Sequence, residues 1–255
     1  MGSFTEFDNF YRSMYGSRWE SLKHSLLETS KPIEYSKNLT KSYFLDEASV
    51  LVASLLPIQP KDDVLDMCAA PGGKTLVLAT SLGKSGTLTA NDRSSSRRAR
   101  LHRVLNDHLH EEHRMLVKVT SHDATKWSLY ETDAYDAILL DAPCSSERHV
   151  IQDPKALSQW SPSRTKRLAQ QQFAMLVAAL DAVRVGGHIL YSTCSISVHE
   201  NQEVIKKLHT RRPGRFFEVE FDLPYSEALE HGSMILPDTS DNRGPLYASL
   251  LRRIS

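Results

Sequence analysis

The stretch VLDMCAAPGGKT, residues 64–75, joins a short apolar run to a turn of small residues that ends in Gly72, Gly73 and Lys74. An apolar run of this length followed by glycines is typical of a buried parallel strand that leads into a helix. Small side chains let the backbone approach a ligand closely, and the first turn of the helix offers unpaired N–H groups. The stretch therefore predicts a ligand-binding turn at the carboxyl end of a strand.

Three kinds of ligand compete for this turn. A P-loop requires a glycine five positions before its Gly-Lys pair, and Cys68 occupies that position, so nucleotide triphosphate hydrolysis is disfavoured. A dinucleotide site requires GxGxxG, which is absent, although Asp92 stands at about the distance expected of an acidic ribose ligand. S-adenosylmethionine fits best, with backbone amides for its carboxylate and an acidic side chain for its ribose hydroxyls. A turn with a purely structural role is the remaining alternative.

From about Tyr43 onward, apolar runs alternate with helical stretches, a pattern typical of parallel strands joined by crossover helices. The pattern predicts five strands, at residues 64–67, 87–90, 116–120, 137–140 and 188–191, and helices at residues 46–56 and 170–183. After Phe216 the helical pattern fades, and residues 216–221 and 246–251 predict closing antiparallel strands. We therefore predict an α/β fold with a mostly parallel sheet.

The N-terminal segment differs from this alternating pattern. We predict a helical extension at residues 1–42 and one main domain at residues 43–255. Between Phe4 and Leu27, aromatic and aliphatic residues recur at roughly helical spacing, which indicates one or two amphipathic helices packed onto the main domain. A mitochondrial transit peptide is disfavoured there by the acidic residues Glu6, Asp8 and Glu20.

Composition limits the classes of protein to consider. A chain of 255 residues with 40% hydrophobic content can bury one substantial core. Its 31 basic and 31 acidic residues balance, so a nucleic-acid surface would have to come from local clusters of charge. The three cysteines are odd in number and lack CxxC spacing, which argues against a disulfide framework and a structural zinc site. This cysteine usage indicates a reducing compartment.

Neither a membrane span nor a metal site is predicted. No apolar run approaches the roughly 20 residues that a membrane-spanning helix needs, and the N-terminus lacks an apolar signal stretch. The histidine-rich stretch HLHEEH, residues 108–113, has no matching ligands elsewhere in the sequence. It is typical of a polar helix end rather than a metal centre.

Two cysteines follow apolar runs at the predicted ends of strands. Cys144 lies in the block DAPCS, residues 141–145, and Cys194 lies in the block STCS, residues 192–195. Ligands of open α/β sheets bind at the carboxyl ends of strands, so we expect both cysteines and the glycine turn to share one crevice. One cysteine alone is more commonly a small buried apolar residue, but two at corresponding strand ends favour a chemical role.

Together, residues 66–75, the DAPCS block, and the STCS block followed by Glu200 and Asn201 resemble the Sun-domain RNA cytosine-5 methyltransferases and their bacterial ribosomal-RNA relatives. The resemblance runs from about Leu45 to the C-terminus, and the tail is most similar to the mitochondrial ribosomal-RNA branch. It implies a Rossmann-like class I methyltransferase fold with an antiparallel C-terminal hairpin, and S-adenosylmethionine as cofactor. The cofactor contacts that it implies are Cys68, Ala69, Ala70, Pro71, Gly72, Gly73, Lys74, Asp92, Arg97, Asp123, Ala124 and Asp141.

The implied catalytic residues are Cys194, Cys144, Asp141 and Lys74. Carbon 5 of cytosine is too weak a nucleophile to accept a methyl group until a thiolate, here Cys194, has added to carbon 6. Asp141 is placed to stabilise the electron density that moves towards N3, which requires a raised pKa if Asp141 is to donate a proton. Lys74 would orient Asp141 or the base, and the family assigns release of the product to the second cysteine, Cys144.

Cys194 needs a pKa below the ordinary thiol value of about 8.5 to react near neutrality. No histidine can be assigned as its base, since His188 is separated from it along the same strand. Basic residues that could contact RNA phosphates occur in three clusters: Arg93, Arg97, Arg98, Arg100 and Arg103, then Arg164, Lys166 and Arg167, then Arg211, Arg212 and Arg215. We favour the second cluster, which follows the DAPCS block and precedes a predicted helix.

Small-subunit ribosomal RNA is the expected substrate, and transfer RNA is the nearest alternative. A non-catalytic cofactor-binding ribosome assembly factor is a further alternative, which the intact Cys144 and Cys194 disfavour. DNA cytosine methyltransferases use the cysteine of a Pro-Cys pair as nucleophile and would not need Cys194. We expect a monomer, and similarity to the mitochondrial branch implies a helical-repeat RNA-binding partner. The expected location is the cytoplasm of a bacterium, or the mitochondrial matrix of a eukaryote with the transit peptide absent from this chain.

Overall fold

Strands and helices alternate along most of the chain, of which the computed structural model describes residues 2–255. The strands are β1 (Ile33–Tyr35), β2 (Tyr43–Leu45), β3 (Asp63–Asp66), β4 (Thr87–Asn91), β5 (Val117–Thr120), β6 (Tyr135–Asp141), β7 (Val183–Thr193), β8 (Phe216–Glu218), β9 (Ser226–Ala228), β10 (Ser233–Ile235) and β11 (Leu246–Arg253). The α-helices are α1 (Gly2–Tyr15), α2 (Trp19–Leu27), α3 (Glu47–Ala53), α4 (Gly73–Ala79), α5 (Ser95–His108), α6 (Glu111–Arg114), α7 (Glu147–Gln152), α8 (Pro154–Ser158), α9 (Pro162–Ala182) and α10 (Gln202–Arg211). Short 3-10 helices span Gly16–Arg18 and Ala124–Leu129.

The main sheet has the strand order β5-β4-β3-β6-β7-β11-β10-β9, with β8 also paired to β11. Strands β3 to β7 are parallel, whereas β11 runs antiparallel to β7. From β3 the chain moves outward to β4 and β5, then returns to the other side of β3 for β6 and β7. Such a reversal opens a crevice at the carboxyl ends of β3 and β6. The predicted α/β sheet, mostly parallel and closed by antiparallel C-terminal strands, is confirmed.

Side-chain caps begin several helices directly after strands. Asp46 accepts a hydrogen bond from the backbone N–H of Ala48 (2.9 Å) at the start of α3. Ser94 caps α5, and Asp123 caps the 3-10 helix that follows β5. Because capping side chains satisfy N–H groups that a helix leaves unpaired, these polar residues fix where each helix leaves the sheet.

Helix α9 is longer than the sequence predicts. Ser161 caps it and Pro162 occupies its first turn, a position that suits proline because no N–H is needed there. The predicted helix began at residue 170, because the first two turns are rich in polar residues and lack a continuous apolar stripe. The basic cluster Arg164, Lys166 and Arg167 therefore lies on the first two turns of this helix.

The N-terminal helices pack through aromatic side chains. Phe7, Tyr11 and Trp19 are fully buried, and the ring of Trp160 lies 5.0 Å from that of Phe7. The strands β1 and β2 pair across residue 42, so the division into segments 1–42 and 43–255 stays a prediction. No helix within residues 2–255 is both long and apolar enough to cross a membrane.

Two hairpins were not predicted from the sequence. The β1–β2 and β9–β10 pairs have strands of only three residues, too short to show alternating hydrophobicity. β10 pairs with Leu246–Ala248 and β8 pairs with Leu251–Arg253, so the two short strands lie along one edge of β11.

Candidate active site

The turn between β3 and α4 is shaped by close packing at Gly72. Gly72 has φ +121°, and a Cβ placed there would lie 2.9 Å from Cγ1 of Val104 on α5. This conformation and this contact exclude larger side chains. Thr75, one turn into α4, donates a hydrogen bond to Asp66 Oδ2 (2.7 Å) at the end of β3. Strand, turn and helices are thereby held in one fixed arrangement.

Asn91, at the end of β4, joins three loops at the carboxyl edge of the sheet. Its amide nitrogen donates to the carbonyl oxygens of Met67 (3.0 Å) and His122 (3.1 Å). Its side-chain oxygen accepts from the backbone N–H of His122 (2.7 Å). Sequence reasoning did not select Asn91, although a buried amide directly before Asp92 at a strand end was the available signal. The loops after β3, β4 and β5 converge because of these bonds.

Two adjoining cavities lie over these loops. The larger, of about 340 Å³, includes Asp92, Asp123 and Met175 in its wall, and the smaller, of about 130 Å³, includes Gly73 and Lys74. Cys68 lines both. Together they form an elongated cleft along the ends of β3 and β4, the place where open α/β sheets bind ligands.

Asp92 keeps one acceptor open towards the larger cavity. Its Oδ1 accepts from the backbone N–H of Ser94 (2.9 Å). Its Oδ2 is buried and lies 3.1 Å from Arg97 Nη1, but no donor is directed at it. A buried carboxylate oxygen without a donor is costly unless a ligand supplies one. The cleft thus fits S-adenosylmethionine, whose ribose hydroxyls can donate to Asp92 while its methionine end reaches α4.

Most of the cofactor contacts implied by the resemblance line this cleft. Those in the larger cavity are Cys68, Asp92, Arg97, Asp123 and Ala124. Those in the smaller cavity are Cys68, Ala69, Ala70, Pro71, Gly73, Lys74 and Asp141. Gly72 lines neither cavity and instead packs against Leu101 and Val104. Direct binding by each of these residues stays a prediction.

Lys74 and Asp141 form an ion pair at the inner end of the cleft. Lys74 Nζ donates to Asp141 Oδ2 (2.8 Å), and Ser192 Oγ donates to Asp141 Oδ1 (2.8 Å). Burial disfavours the charge of Lys74, but the Asp141 carboxylate outweighs burial and raises the pKa of Lys74. Both oxygens of Asp141 therefore act as acceptors, and Lys74 is the group that carries a transferable proton.

The two cysteines meet beside this ion pair. Cys144 follows β6, Cys194 follows β7, and their Sγ atoms lie 3.1 Å apart as free thiols. Ser146 Oγ lies 3.3 Å from Cys194 Sγ and 3.5 Å from Cys144 Sγ. Ser146 directly precedes α7 and has a positive φ of 54°. Parallel pairing of β6 and β7 brings the sulfur atoms together, as the sequence predicts.

Cys194 is the thiol that ionises first. A hydrogen bond from Cys144 lowers the pKa of Cys194, and Ser146 and Lys74 act in the same direction, although burial and Asp141 oppose them. The same bond and burial raise the pKa of Cys144 well above its ordinary value. No histidine supplies the shift, since His188 lies six residues back along β7, roughly 20 Å away at the rise of a strand.

A third cavity, of about 480 Å³, opens to the surface above Cys194. Lys74 and Asp141 line both this cavity and the smaller part of the cleft, so the two spaces meet at the ion pair. Other residues in its wall were not selected from the sequence: Asp46, Ser49, Ser146, Arg148, His149, Gln152 and Gly244. Arg148, His149 and Gln152 could have been found, because α7 begins two residues after the DAPCS block ends.

Buried carboxylates support the loops that carry the cysteines. Ser145 Oγ lies within hydrogen-bond distance of Glu147 Oε1 and Glu200 Oε1, and Ser145 N donates to Glu200 Oε2 (3.0 Å). Tyr11 of α1 donates to Glu147 Oε1 (2.5 Å), and the N–H of Ile196 donates to Glu147 Oε2 (3.0 Å). These bonds connect the DAPCS and STCS blocks to each other and to the N-terminal helix.

This site is matched by one family model. The model of the 16S rRNA methyltransferase RsmB/F family matches residues 53–252, which includes the glycine turn, Asp92 and both cysteine blocks. The chain belongs to this family.

Curated relatives are about one third identical to the chain over the aligned residues. The 5-cytosine rRNA methyltransferase NSUN4 of Bos taurus is 37% identical, with 86% of the chain and 62% of the relative covered. The mitochondrial tRNA (cytosine(34)-C(5))-methyltransferase of Danio rerio is 33% identical, with coverage of 85% and 62%. The ribosomal RNA small subunit methyltransferase F of Shewanella sediminis is 37% identical, with coverage of 76% and 40%. The chain thus spans less than two thirds of the length of these relatives.

A solved structure confirms the Rossmann-like methyltransferase fold. The crystal structure of NSun6 from Pyrococcus horikoshii with SFG superposes with a TM-score of 0.70 at 25% identity. The superposition covers 86% of the chain and 54% of that structure.

Proposed function

We propose that the chain is an S-adenosylmethionine-dependent RNA cytosine-5 methyltransferase that acts on small-subunit ribosomal RNA. The observation that carries this proposal is the pair of free thiols, 3.1 Å apart, at the point where the cofactor cleft meets an open cavity. A methyltransferase that acts on oxygen or nitrogen needs no thiol. Methylation at carbon 5 of cytosine needs one nucleophile at carbon 6 and one group to complete release.

Cys194 is the proposed nucleophile. Its thiolate adds to carbon 6 of a cytosine in the third cavity, and the electron pair of the carbon 5–carbon 6 bond moves towards N3. Lys74 donates a proton or a hydrogen bond to that developing charge, and Asp141 holds the ammonium in place. S-adenosylmethionine held by the residues of the cleft would supply the electrophilic methyl group.

Cys144 is the proposed release group. Once carbon 5 carries the methyl group, its proton must leave so that the electron pair can expel the Cys194 thiolate. Cys144 accepts that proton as a thiolate. Its own thiol proton must first pass to solvent, because the Cys194 sulfur is bonded to carbon 6 at this stage and no longer shares a proton with Cys144. Ser146 lies within 3.5 Å of both sulfur atoms and would stabilise whichever sulfur is ionised.

The cytosine must leave any base stack to reach Cys194, because carbon 6 is inaccessible within a helix. We assign phosphate contacts to Arg164, Lys166 and Arg167, which form no ion pair with any described residue of the chain. Phosphate contacts position RNA without reading its sequence. Recognition of a single cytosine therefore requires RNA shape or a partner, for which we propose a helical-repeat RNA-binding protein that binds a monomeric chain.

Transfer RNA is the alternative substrate, favoured by the name of the Danio rerio relative. A test incubates the chain with S-adenosylmethionine and, separately, a short cytosine-containing hairpin, transfer RNA, naked ribosomal RNA and assembling small subunits, all at one salt concentration. Bisulfite sequencing then maps methylated cytosines. We expect one strongly methylated position in assembling subunits and weak, dispersed methylation of the hairpin. One strongly methylated position in transfer RNA would show that transfer RNA, and not ribosomal RNA, is the substrate. Absence of methylation in every RNA would contradict the proposed methyltransferase activity.

A further inference from the structure

His209, Glu218 and His231 form a compact cluster on the outer side of β11, apart from the cysteines. They belong to α10, β8 and the turn between β9 and β10, respectively. Glu218 Oε1 lies 2.8 Å from His209 Nε2 and 2.7 Å from His231 Nδ1. One atom from each side chain lies within 4.8 Å of the others. We propose that this cluster is a Zn²⁺ site that joins α10 to the two short strands at the edge of the sheet.

The donor set selects the class of ion. Two imidazole nitrogens and one carboxylate oxygen suit Zn²⁺, whereas Mg²⁺ and Ca²⁺ prefer oxygen ligands alone. Zinc bonds of about 2.0–2.2 Å place tetrahedral ligand atoms roughly 3.3 Å apart, so each nitrogen needs to move about half an ångström away from Glu218. The two nitrogens lie within 4.8 Å of each other and must also approach to about 3.3 Å. Water fills the fourth position.

Zn²⁺ can bind these three side chains without changing the charge of any of them. In the described arrangement each imidazole N–H points at Glu218, and the ion must replace both hydrogen atoms. In a neutral histidine the proton moves to the other ring nitrogen, so His209 binds through Nε2 and His231 through Nδ1. Glu218 binds as a carboxylate, and the site then carries a net charge of one.

Neighbouring groups hold the ligands in place. Tyr247 donates from its hydroxyl to the carbonyl oxygen of His231 (2.7 Å), which ties the β9–β10 turn to β11. Glu230 Oε1 lies 4.0 Å from His231 Nε2, the nitrogen that carries the proton when Nδ1 binds a metal. A carboxylate that accepts from that nitrogen orients a ligating histidine, and Glu230 would have to approach by about 1 Å to do so.

The strand arrangement gives the ion a structural task. β8 and β10 both pair with β11 but not with each other, and a cavity of about 500 Å³ lies between them. Glu218 and Gly232 line this cavity, which gives an ion and its water an open path. An ion bound to α10, β8 and the β9–β10 turn closes the gap that backbone pairing leaves.

The test must separate this cluster from the two cysteines, which can also bind zinc as thiolates. Full-length chain with both Cys144→Ser and Cys194→Ser is therefore stripped of metal and titrated with Zn²⁺ and Co²⁺ at pH 7.5. We expect one ion per chain, cobalt bands of tetrahedral nitrogen and oxygen ligation without thiolate bands, and a thermal midpoint that rises with Zn²⁺.

Single substitutions in the chain that carries Cys144→Ser and Cys194→Ser identify the residues that bind Zn²⁺. His231→Gln and Glu218→Gln should each weaken Zn²⁺ binding more than about 100-fold, beyond the roughly 10–100-fold lost with a supporting partner. His24→Gln is the matched control, because His24 is an exposed histidine on α2. Circular dichroism checks that each variant folds. Equal affinity in the His231→Gln and His24→Gln chains, or no cobalt spectrum in the parent, would show that Glu218 is only a hydrogen-bond acceptor.

Discussion

At the scale of single residues, two acidic side chains of the site differ in how their carboxylate oxygens are hydrogen-bonded. Asp92 presents an oxygen without a donor to the larger cavity, whereas Asp141 has both oxygens occupied by Lys74 and Ser192. The first arrangement is suited to binding a ligand, and the second to holding a proton donor in place. We therefore propose different tasks for the two acidic residues, although Asp92 directly follows β4 and Asp141 ends β6 of the same sheet.

Replacement of Asp92 tests the first of these tasks. Asp92→Ala should weaken binding of S-adenosylmethionine by about 1.5–3 kcal/mol, the usual value of a hydrogen bond to a charged group. Calorimetry measures the affinity directly. Asp107→Ala is the matched control, since Asp107 is an exposed acid on α5. Equal affinities in the two variants would remove Asp92 from the binding site.

At the scale of elements, the turn from β3 into α4 sets the position of the cleft. Gly72 combines a positive φ with a contact to α5, so α4 can approach both the sheet and its neighbouring helix. The sequence predicted the strand, the turn and the ligand. It did not predict that Gly72 packs against α5, because this contact depends on Val104, which lies more than 30 residues further along the chain.

The effect of this packing on stability can be measured by replacing two glycines with alanine, one packed and one open. Gly72→Ala should lower the free energy of unfolding by about 2–4 kcal/mol, since strained backbone and a forced contact each cost on the order of 1–3 kcal/mol. Gly214→Ala is the control, because Gly214 also has positive φ but has nothing within 4 Å of the added methyl group. It should cost about 1–2 kcal/mol. Urea unfolding gives both values, and an equal loss would contradict the packing role.

The sequence predicted best those strands that contain a continuous apolar run. Strands β3 to β7 and both cysteine blocks lie where apolar runs predicted them, because a buried parallel strand reads as a continuous apolar segment. The β1–β2 and β9–β10 hairpins gave no such signal. Some residues of the third cavity were missed for a related reason, since Asp46 and Gly244 come from separate segments that only the folded sheet brings together.

At the scale of the whole molecule, a buried carboxylate pair connects the N-terminal helix to the active site. Tyr11 binds Glu147, and Ser145 bridges Glu147 to Glu200. Burial and the neighbouring Glu147 raise the pKa of Glu200 to about 7. In the unfolded chain the same group ionises near 4.5, so between these pH values the folded state binds more protons.

The free energy of unfolding should therefore fall as pH rises from about 4.5 to about 7. The contribution of Glu200 is about 3 kcal/mol, at 1.36 kcal/mol per pKa unit. Glu200→Gln should remove this part of the pH dependence, because its amide oxygen can accept from Ser145 N and Gln172 while its NH₂ faces serine hydroxyls. The control is Glu6→Gln, an exposed acid on α1. Parallel pH profiles for both variants would show that Glu200 is ionised when folded.

In the proposed mechanism, Cys194 bonds to the RNA base and Cys144 releases it. The most direct measurement incubates Cys144→Ala, Cys194→Ala and Cys68→Ala chains with S-adenosylmethionine and substrate RNA, followed by denaturing electrophoresis and mass spectrometry of digested bands. We predict a stable RNA-linked band only for Cys144→Ala, with one methylated cytidine attached to Cys194. An RNA-linked band for Cys194→Ala, with the nucleotide on Cys144, would reverse the two roles and contradict the account.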